Sequence, residues 1–182
     1  MPFTIFVTTD SVDKQFNKQL NWQALLEMSR NGATIANHTV NHPHMLYRFE
    51  GENDKQWQQR MQQEIDGAQQ RIAEQIGSQH KLFAYPYGEH NQSLKEQLAQ
   101  MGYLAFGQQS GALGAYSHAQ SIPRYPIAGD YSKLDDFILK IHTKAMPAIE
   151  LSSSATPLSA KQSKPTVTLE FKQAIHKPFF QC

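Results

Sequence analysis

Two histidines separated by three residues are the first feature of this sequence that could carry chemistry. The segment HTVNH places His38 and His42 four positions apart, directly after a short apolar run that predicts a strand. Neutral imidazole is a suitable ligand for zinc, cobalt, nickel or iron. Two such ligands make a weak site, so a third ligand, usually a carboxylate, is expected. Spacing alone leaves open the alternative of two unrelated surface histidines.

The position of the pair in the predicted fold favours a metal site. Pro43 follows the second histidine, and proline prefers the first turn of a helix. The pair therefore lies on a strand-to-helix turn at the carboxyl edge of the predicted sheet, where α/β folds place their sites. His44 is predicted to be a surface residue or a neighbour of the site. The pair does not form a zincin motif, because Thr39 stands where that motif has glutamate.

The segment FAYPYG is a second candidate. Pro86 fixes the approach to the turn, and Gly88 permits a tight backbone conformation. Such a turn can expose the backbone N–H that a developing oxyanion needs. Taken alone, an ordinary strand-to-loop turn with aromatic packing explains the segment better.

Arg124 is a third candidate, because it stands between two prolines in the segment IPRYP. A stiffly held guanidinium can orient a carboxylate or bind an anionic group. A plain surface salt bridge explains this arginine equally well.

The apolar pattern predicts strands that alternate with helices. The predicted strands are Phe3–Thr8, Ala33–Ala36, Lys81–Tyr85 and Tyr103–Phe106. The predicted helices are Asn21–Arg30, Asp54–Ile76, a short one around Leu94 to Met101, and Ser132–Ala145. The last of these is predicted to begin with a capping box from Ser132 to Asp135. This alternation predicts parallel βαβ units in an open sheet or an incomplete barrel, and alternating apolar residues from Val167 to Phe171 predict a further strand.

The composition limits the classes of function. The chain has 182 residues, a formal net charge of +1 and 40% hydrophobic residues, which suits one domain or one domain with a tail. The near-neutral charge gives no reason to expect nucleic acid as a partner, and no apolar run approaches the length of a membrane span. No signal peptide is visible. The single cysteine, Cys182, excludes a disulfide within the chain.

Taken together and in this order, the segments resemble the polysaccharide deacetylases, the NodB-homology enzymes of carbohydrate esterase family 4. The matching pieces are PFTIFV, GATIANHTVNHPHM, LFAYPYGEHN and IPRYPI. HTVNH is similar to the family's His-(Ser/Thr)-x-x-His metal motif. FAYPYG is similar to its third motif, in the form found in the branch that acts on poly-N-acetylglucosamine-like exopolysaccharides.

The resemblance implies an α/β fold, here an incomplete distorted (β/α) barrel of the polysaccharide deacetylase type with a short C-terminal β element. It implies a hydrolase acting on carbon–nitrogen bonds other than peptide bonds, which removes N-acetyl, or sometimes O-acetyl, groups from the sugars of a polysaccharide or oligosaccharide. It implies a divalent metal, most commonly zinc, held by an aspartate and two histidines. A periplasmic, cell-envelope or extracellular location follows from the same resemblance.

By position, the resemblance assigns the metal-ligand role to His38 and His42 and the oxyanion role to the backbone N–H of Tyr87. Thr39 would steady the metal-binding turn, and Arg124 would orient the catalytic base.

The sequence also departs from the family pattern. The family's Asp-Asp pair, which supplies the base and the third metal ligand, belongs to a strand before Phe3 and is not present. The chain is therefore predicted to be truncated in its deacetylase domain, of doubtful activity, and prone to self-association through an exposed barrel edge. The predicted division is a NodB-like domain at 1–150, a linker at 151–165 and a β element at 166–182, the last one incomplete.

Two other functions remain open. A non-catalytic carbohydrate-binding remnant, or pseudoenzyme, could use the aromatic faces of Tyr85, Tyr87, Trp57 and Phe106. A metallopeptidase is the weaker alternative, because the zincin glutamate is absent.

Overall fold

The computed structural model describes residues 3–16, 20–153 and 167–172. The chain divides into two compact units. The first comprises residues 1–108 and 119–121, and the second comprises residues 109–118 and 122–182.

The first unit contains a sheet of four parallel strands. They are β1 (Phe3–Val7), β2 (Ala33–Asn37), β3 (Leu82–Ala84) and β4 (Leu104–Phe106), paired in the order β1-β2-β3-β4. The described strands form an open sheet, which confirms the predicted α/β fold with an incomplete barrel. Because all four strands run the same way, the segments that follow β2 and β3 leave the sheet at its carboxyl edge.

Four helices belong to this unit: α1 (Thr9–Asp13), α2 (Trp22–Arg30), α3 (Asp54–Ile76) and α4 (Gln92–Gln100). The predicted N-cap of α2 is confirmed, since the Asn21 side chain accepts a hydrogen bond from the Ala24 N–H at 2.8 Å. Helix α1 was not predicted. It is five residues long and its N-cap makes no side-chain hydrogen bond, so it leaves no periodic signal in the sequence.

Helix α3 is the longest described element. The buried core consists of two clusters of apolar side chains, and α3 contributes residues to both. It begins with a capping box between Asn53 and Gln56 and ends at Gly77, whose φ of 79° permits the left-handed C-cap. Its predicted apolar stripe is buried at Trp57, Met61, Ile65, Ala68 and Ile72. The first part of the stripe packs with residues of β3, β4 and α4, and the last part packs with residues of β1, β2 and α2. The helix is therefore fixed against the sheet along its whole length.

The second unit contains helix α5 (Leu134–His142) and an antiparallel pair formed by β5 (Ala148–Ser153) and β6 (Val167–Phe171). Strand β6 confirms the strand that the alternating apolar residues from Val167 to Phe171 predict. The predicted capping box of α5 is wrong, because the Ser132 hydroxyl donates to the Gly129 carbonyl at 2.7 Å and the helix begins two residues later. Apart from the last residues of β5, the predicted linker at 151–165 lies outside the described residues.

Within the described part of the chain, none of the helices combines the length and the apolar character that crossing a membrane requires.

We expect Ile65→Ala to lower the free energy of unfolding by about 2–5 kcal/mol, because the Ile65 side chain is fully buried on the face of α3 that packs in the core. Urea denaturation measures this change. The matched control is Gln63→Ala, an exposed position on the same helix, for which we expect less than about 0.5 kcal/mol. Equal losses in both variants would contradict the assigned orientation of the helix.

Candidate active site

The structure brings the two predicted metal ligands together. His38 directly follows β2, and the His38 and His42 rings lie 4.7 Å apart between centroids at an interplanar angle of 73°. Both side chains are partly exposed at the carboxyl edge of the sheet. The pair is therefore one local cluster, which is the arrangement that a shared cation requires.

The neighbouring strand fixes the tautomer of His38. Its Nδ1 lies 2.7 Å from the carbonyl oxygen of Ala84, the last residue of β3. A carbonyl oxygen can only accept, so Nδ1 carries the proton and donates it. In the neutral ring, Nε2 then bears the lone pair. Metal-ligating histidines are commonly oriented by this kind of bond from the other ring nitrogen.

The turn that joins the two histidines has an unusual backbone. Thr39 and His42 adopt φ angles of 68° and 55°, in the left-handed region that β-branched residues such as threonine rarely occupy. The Thr39 hydroxyl, which is fully buried, accepts from the His42 N–H at 3.0 Å and donates to the His38 carbonyl at 2.5 Å. Thr39 thus ties the positions of the two histidines to each other.

A carboxylate of helix α3 holds the same turn from outside. The Glu64 Oε2 accepts from the backbone N–H groups of Val40 and Asn41 at 3.1 and 3.0 Å, and Oε1 accepts from the Asn41 side chain at 2.8 Å. Gly67 permits the close approach of the helix, since an added Cβ would lie 3.1 Å from a Val40 methyl group.

Asn37 makes a second link between the turn and the helix. Its side-chain amide donates to the Ile65 carbonyl at 2.8 Å, and its side-chain oxygen accepts from the Thr39 N–H at 2.9 Å. Sequence reasoning missed both anchors. Glu64 follows Gln62 and Gln63 in the Gln-rich part of α3, and its sequence context does not distinguish it from a solvated glutamate.

The second predicted segment forms a tight turn after β3. Two hydrogen bonds close it, from Gly88 N–H to the Tyr85 carbonyl at 3.0 Å and from Glu89 N–H to the Pro86 carbonyl at 3.1 Å. The Tyr87 N–H donates neither of these bonds. Tyr87 and Gly88 both have positive φ, 56° and 73°, and a Cβ on Gly88 would lie 2.7 Å from the Gln108 Cβ. Only glycine therefore fits at position 88.

The two turns meet through their aromatic rings. The Tyr87 ring, 49% exposed, contacts the His42 ring edge-on at 4.6 Å. The ring of His44 also stacks on the Tyr87 ring, with 4.0 Å between centroids and an interplanar angle of 8°. The His44 Nδ1 lies 3.0 Å from the Glu89 carboxylate. His44 is exposed, as predicted, and it contacts the turn that holds the predicted oxyanion donor.

The histidine pair lines a groove of about 520 Å³ beside β1. The groove is bordered on its other sides by Thr8, Ser11, Leu20 and Leu25. Its lining therefore combines two imidazoles and two hydroxyls with aliphatic surface.

The pair fits the imidazole part of a metal site, but the described residues do not complete a donor set. No group of three His, Cys, Asp or Glu side chains in residues 3–16, 20–153 and 167–172 is placed to hold a metal ion. Asp10 joins the turn through its backbone N–H, bonded to the Val40 carbonyl at 3.0 Å, while its carboxylate pairs with Lys14 at 2.8 Å.

Arg124 lies in the second unit, where its backbone N–H donates to the Gln109 carbonyl at 3.1 Å. Its assignment to the site remains a prediction from the sequence.

We expect Glu64→Ala to lower the free energy of unfolding by about 2 kcal/mol, because backbone N–H groups of the turn lose a charged acceptor. Glu64→Gln should recover more than half of this loss, since its amide oxygen still accepts. Amide hydrogen exchange at Val40 and Asn41 should accelerate at least tenfold in Glu64→Ala. The expectation is wrong if exchange at these two amides is the same as in Gln63→Ala.

Comparison with known proteins agrees with the geometry. A family model described as polysaccharide deacetylase matches residues 1–106. A comparison with curated proteins finds no match.

Several solved structures share the fold. The Streptococcus pyogenes deacetylase PplD in complex with acetate has 20% identity and a TM-score of 0.66, over 77% of this chain and 58% of that chain. IcaB from Ammonifex degensii has 18% identity and a TM-score of 0.62, over 79% of this chain and 63% of that chain. A de-N-acetylase from Aggregatibacter actinomycetemcomitans has 18% identity and a TM-score of 0.59, over 75% of this chain and 64% of that chain. The chain thus spans less than two thirds of each of these structures. Since the family model covers more than half of its residues, the chain belongs to the polysaccharide deacetylase family.

Proposed function

We propose that this chain is the metal-dependent deacetylase part of an enzyme that removes acetyl groups from N-acetylated sugars of a polysaccharide. Membership in the family supports the general reaction. The N-acetyl linkage is supported by the form of the FAYPYG segment and by the fold shared with a protein described as a de-N-acetylase. A polymer of the poly-N-acetylglucosamine type is the proposed substrate.

The observation that carries this proposal is the orientation of His38. Its Nδ1–H is bonded to the Ala84 carbonyl, and its ring packs against that of His42. An unrelated pair of surface histidines would not need this restraint, whereas a pair of ligands to one divalent metal, which we propose to be zinc, does.

The protein groups have distinct proposed roles. The backbone N–H of Tyr87 donates to the oxygen of the acetyl group as it gains negative charge, and the left-handed turn holds that donor in place. When bound, the metal polarises the acetyl carbonyl and the attacking water. Arg124 orients the base.

The base itself has no assigned residue. In the described residues, three carboxylates that contact the two turns or the segments beside them have other partners: Asp10 pairs with Lys14, Glu64 holds the histidine turn, and Glu89 binds His44. A missing general base costs about two to four decades in rate, so we propose that this chain turns over slowly.

A non-catalytic carbohydrate-binding role is the second candidate. The exposed stack of Tyr87 and His44 favours it, since flat aromatic surfaces bind the apolar faces of sugars. In this case sugar binding would not depend on a metal ion.

We expect the chain to bind one zinc ion, and His38→Ala to weaken that affinity more than about 100-fold, because loss of a ligand exceeds the 10- to 100-fold cost of losing an outer hydrogen-bond partner. Isothermal titration calorimetry after chelator treatment measures this. The control is His80→Ala, an exposed histidine that follows α3. Equal zinc affinity in the two variants would disprove the metal site.

We expect zinc-loaded protein to release acetate slowly from an N-acetylglucosamine oligomer, and chelator to abolish the release. Enzymatic acetate assay and mass spectrometry of the oligomer measure this. Oligomer binding that persists with chelator and in His38→Ala, without acetate release, would instead establish the carbohydrate-binding role.

A further inference from the structure

The imidazole of His90 holds three partners at once, next to the turn of the proposed oxyanion donor. Its Nδ1 lies 3.0 Å from the Gly88 carbonyl, so Nδ1 carries a proton and donates it. Its Nε2 lies 3.0 Å from the Ser121 hydroxyl, which donates to it when the ring is neutral. Its ring stacks on the Tyr85 ring at 4.8 Å and 25°.

The partners of His90 are themselves anchored to the sheet. Tyr85 is fully buried, its N–H donates to the Phe106 carbonyl, and its hydroxyl donates to the Gln120 carbonyl at 2.6 Å. Burial raises the pKa of the Tyr85 hydroxyl far above its ordinary value, so this donor keeps its proton. The segment that contains Ser121 is joined to β4, because the Ala105 N–H donates to the Ala119 carbonyl at 2.9 Å.

The hydrogen bonds that close the Tyr87–Gly88 turn lie within the turn itself. Both bonds span only three residues. The left-handed backbone is costly at Tyr87, which has a side chain, but not at Gly88. The His90 bond to Gly88 is the contact that ties a carbonyl of this turn to the fixed ends of β3 and β4. Small displacements matter here, since misplacing a reacting group by about 1 Å can cost about 100-fold in rate.

We propose that His90 is a positioning residue for the deacetylase reaction: bonded to Gly88 and Ser121 and stacked on Tyr85, it sets the direction of the Tyr87 N–H. This inference rests on the proposed function, because it requires that the N–H receives the oxyanion. His90 does not touch the substrate; it acts through the turn.

Three variants separate its contacts. His90→Phe keeps a flat ring for Tyr85 and loses both hydrogen bonds. His90→Asn places an amide donor where Nδ1 was and so retains the bond to Gly88. Ser121→Ala removes the hydroxyl that bonds to the His90 Nε2. The matched control is His80→Phe, which makes the same substitution at an exposed histidine.

The first readout is steady-state kinetics on an N-acetylglucosamine oligomer with saturating zinc. We expect His90→Phe to lower kcat about 10- to 100-fold with KM within about twofold, because the lost donor geometry acts in the transition state. His90→Asn should restore most of kcat, and Ser121→Ala, which leaves the Gly88 bond and the Tyr85 stack in place, should lower kcat less than His90→Phe. An Asn variant as slow as the Phe variant, or a Phe variant that changes KM alone, would overturn the proposal.

The second readout, amide hydrogen exchange at Gly88 and Glu89, needs no activity. We expect exchange to accelerate at least tenfold in His90→Phe and to stay unchanged in His80→Phe. Unchanged exchange in His90→Phe would overturn the positioning role. If the wild-type chain with zinc releases no acetate, the deacetylase proposal fails, and the exchange result alone decides whether His90 holds the turn.

Discussion

The anchoring of a strained turn on helix α3 is the constraint on which the candidate site depends. Thr39 and His42 need left-handed backbone, which is unfavourable for residues with side chains and persists only when the surroundings fix it. The Glu64 carboxylate supplies three acceptor contacts, and Asn37 joins the turn to the Ile65 carbonyl. The histidine pair is therefore positioned from the helix as much as from the strand that precedes it.

This arrangement connects the core to the site. Helix α3 buries its apolar stripe in both parts of the core, so the height and rotation of Glu64 above the sheet are set by packing. Ile65, adjacent to Glu64, contributes a buried side chain on one face and a backbone acceptor for Asn37. A loss of packing under this helix would therefore displace the histidine turn and also lower the free energy of unfolding.

The sequence predicted much of this fold and part of the site. The apolar period of α3, the N-cap of α2 and the four strands are local signals, and they are confirmed. The capping box at Ser132 was wrong, because a bond to Gly129 competes for the same hydroxyl. The bonds of Glu64 to the histidine turn and of His90 to Ser121 could not be predicted, since each joins residues more than 20 positions apart that only the tertiary fold brings near.

The chemistry of the site follows from what its two turns share. Each follows a parallel strand, each contains left-handed residues, and they touch through the His42 and Tyr87 rings. In the proposed metal site, the two imidazoles would leave further coordination positions for other ligands, water or substrate. In the proposed reaction, metal binding precedes attack on the acetyl group, so zinc affinity and acetate release would report different steps. The geometry of the two turns does not depend on a bound metal or on turnover, because hydrogen bonds among the described residues hold both of them.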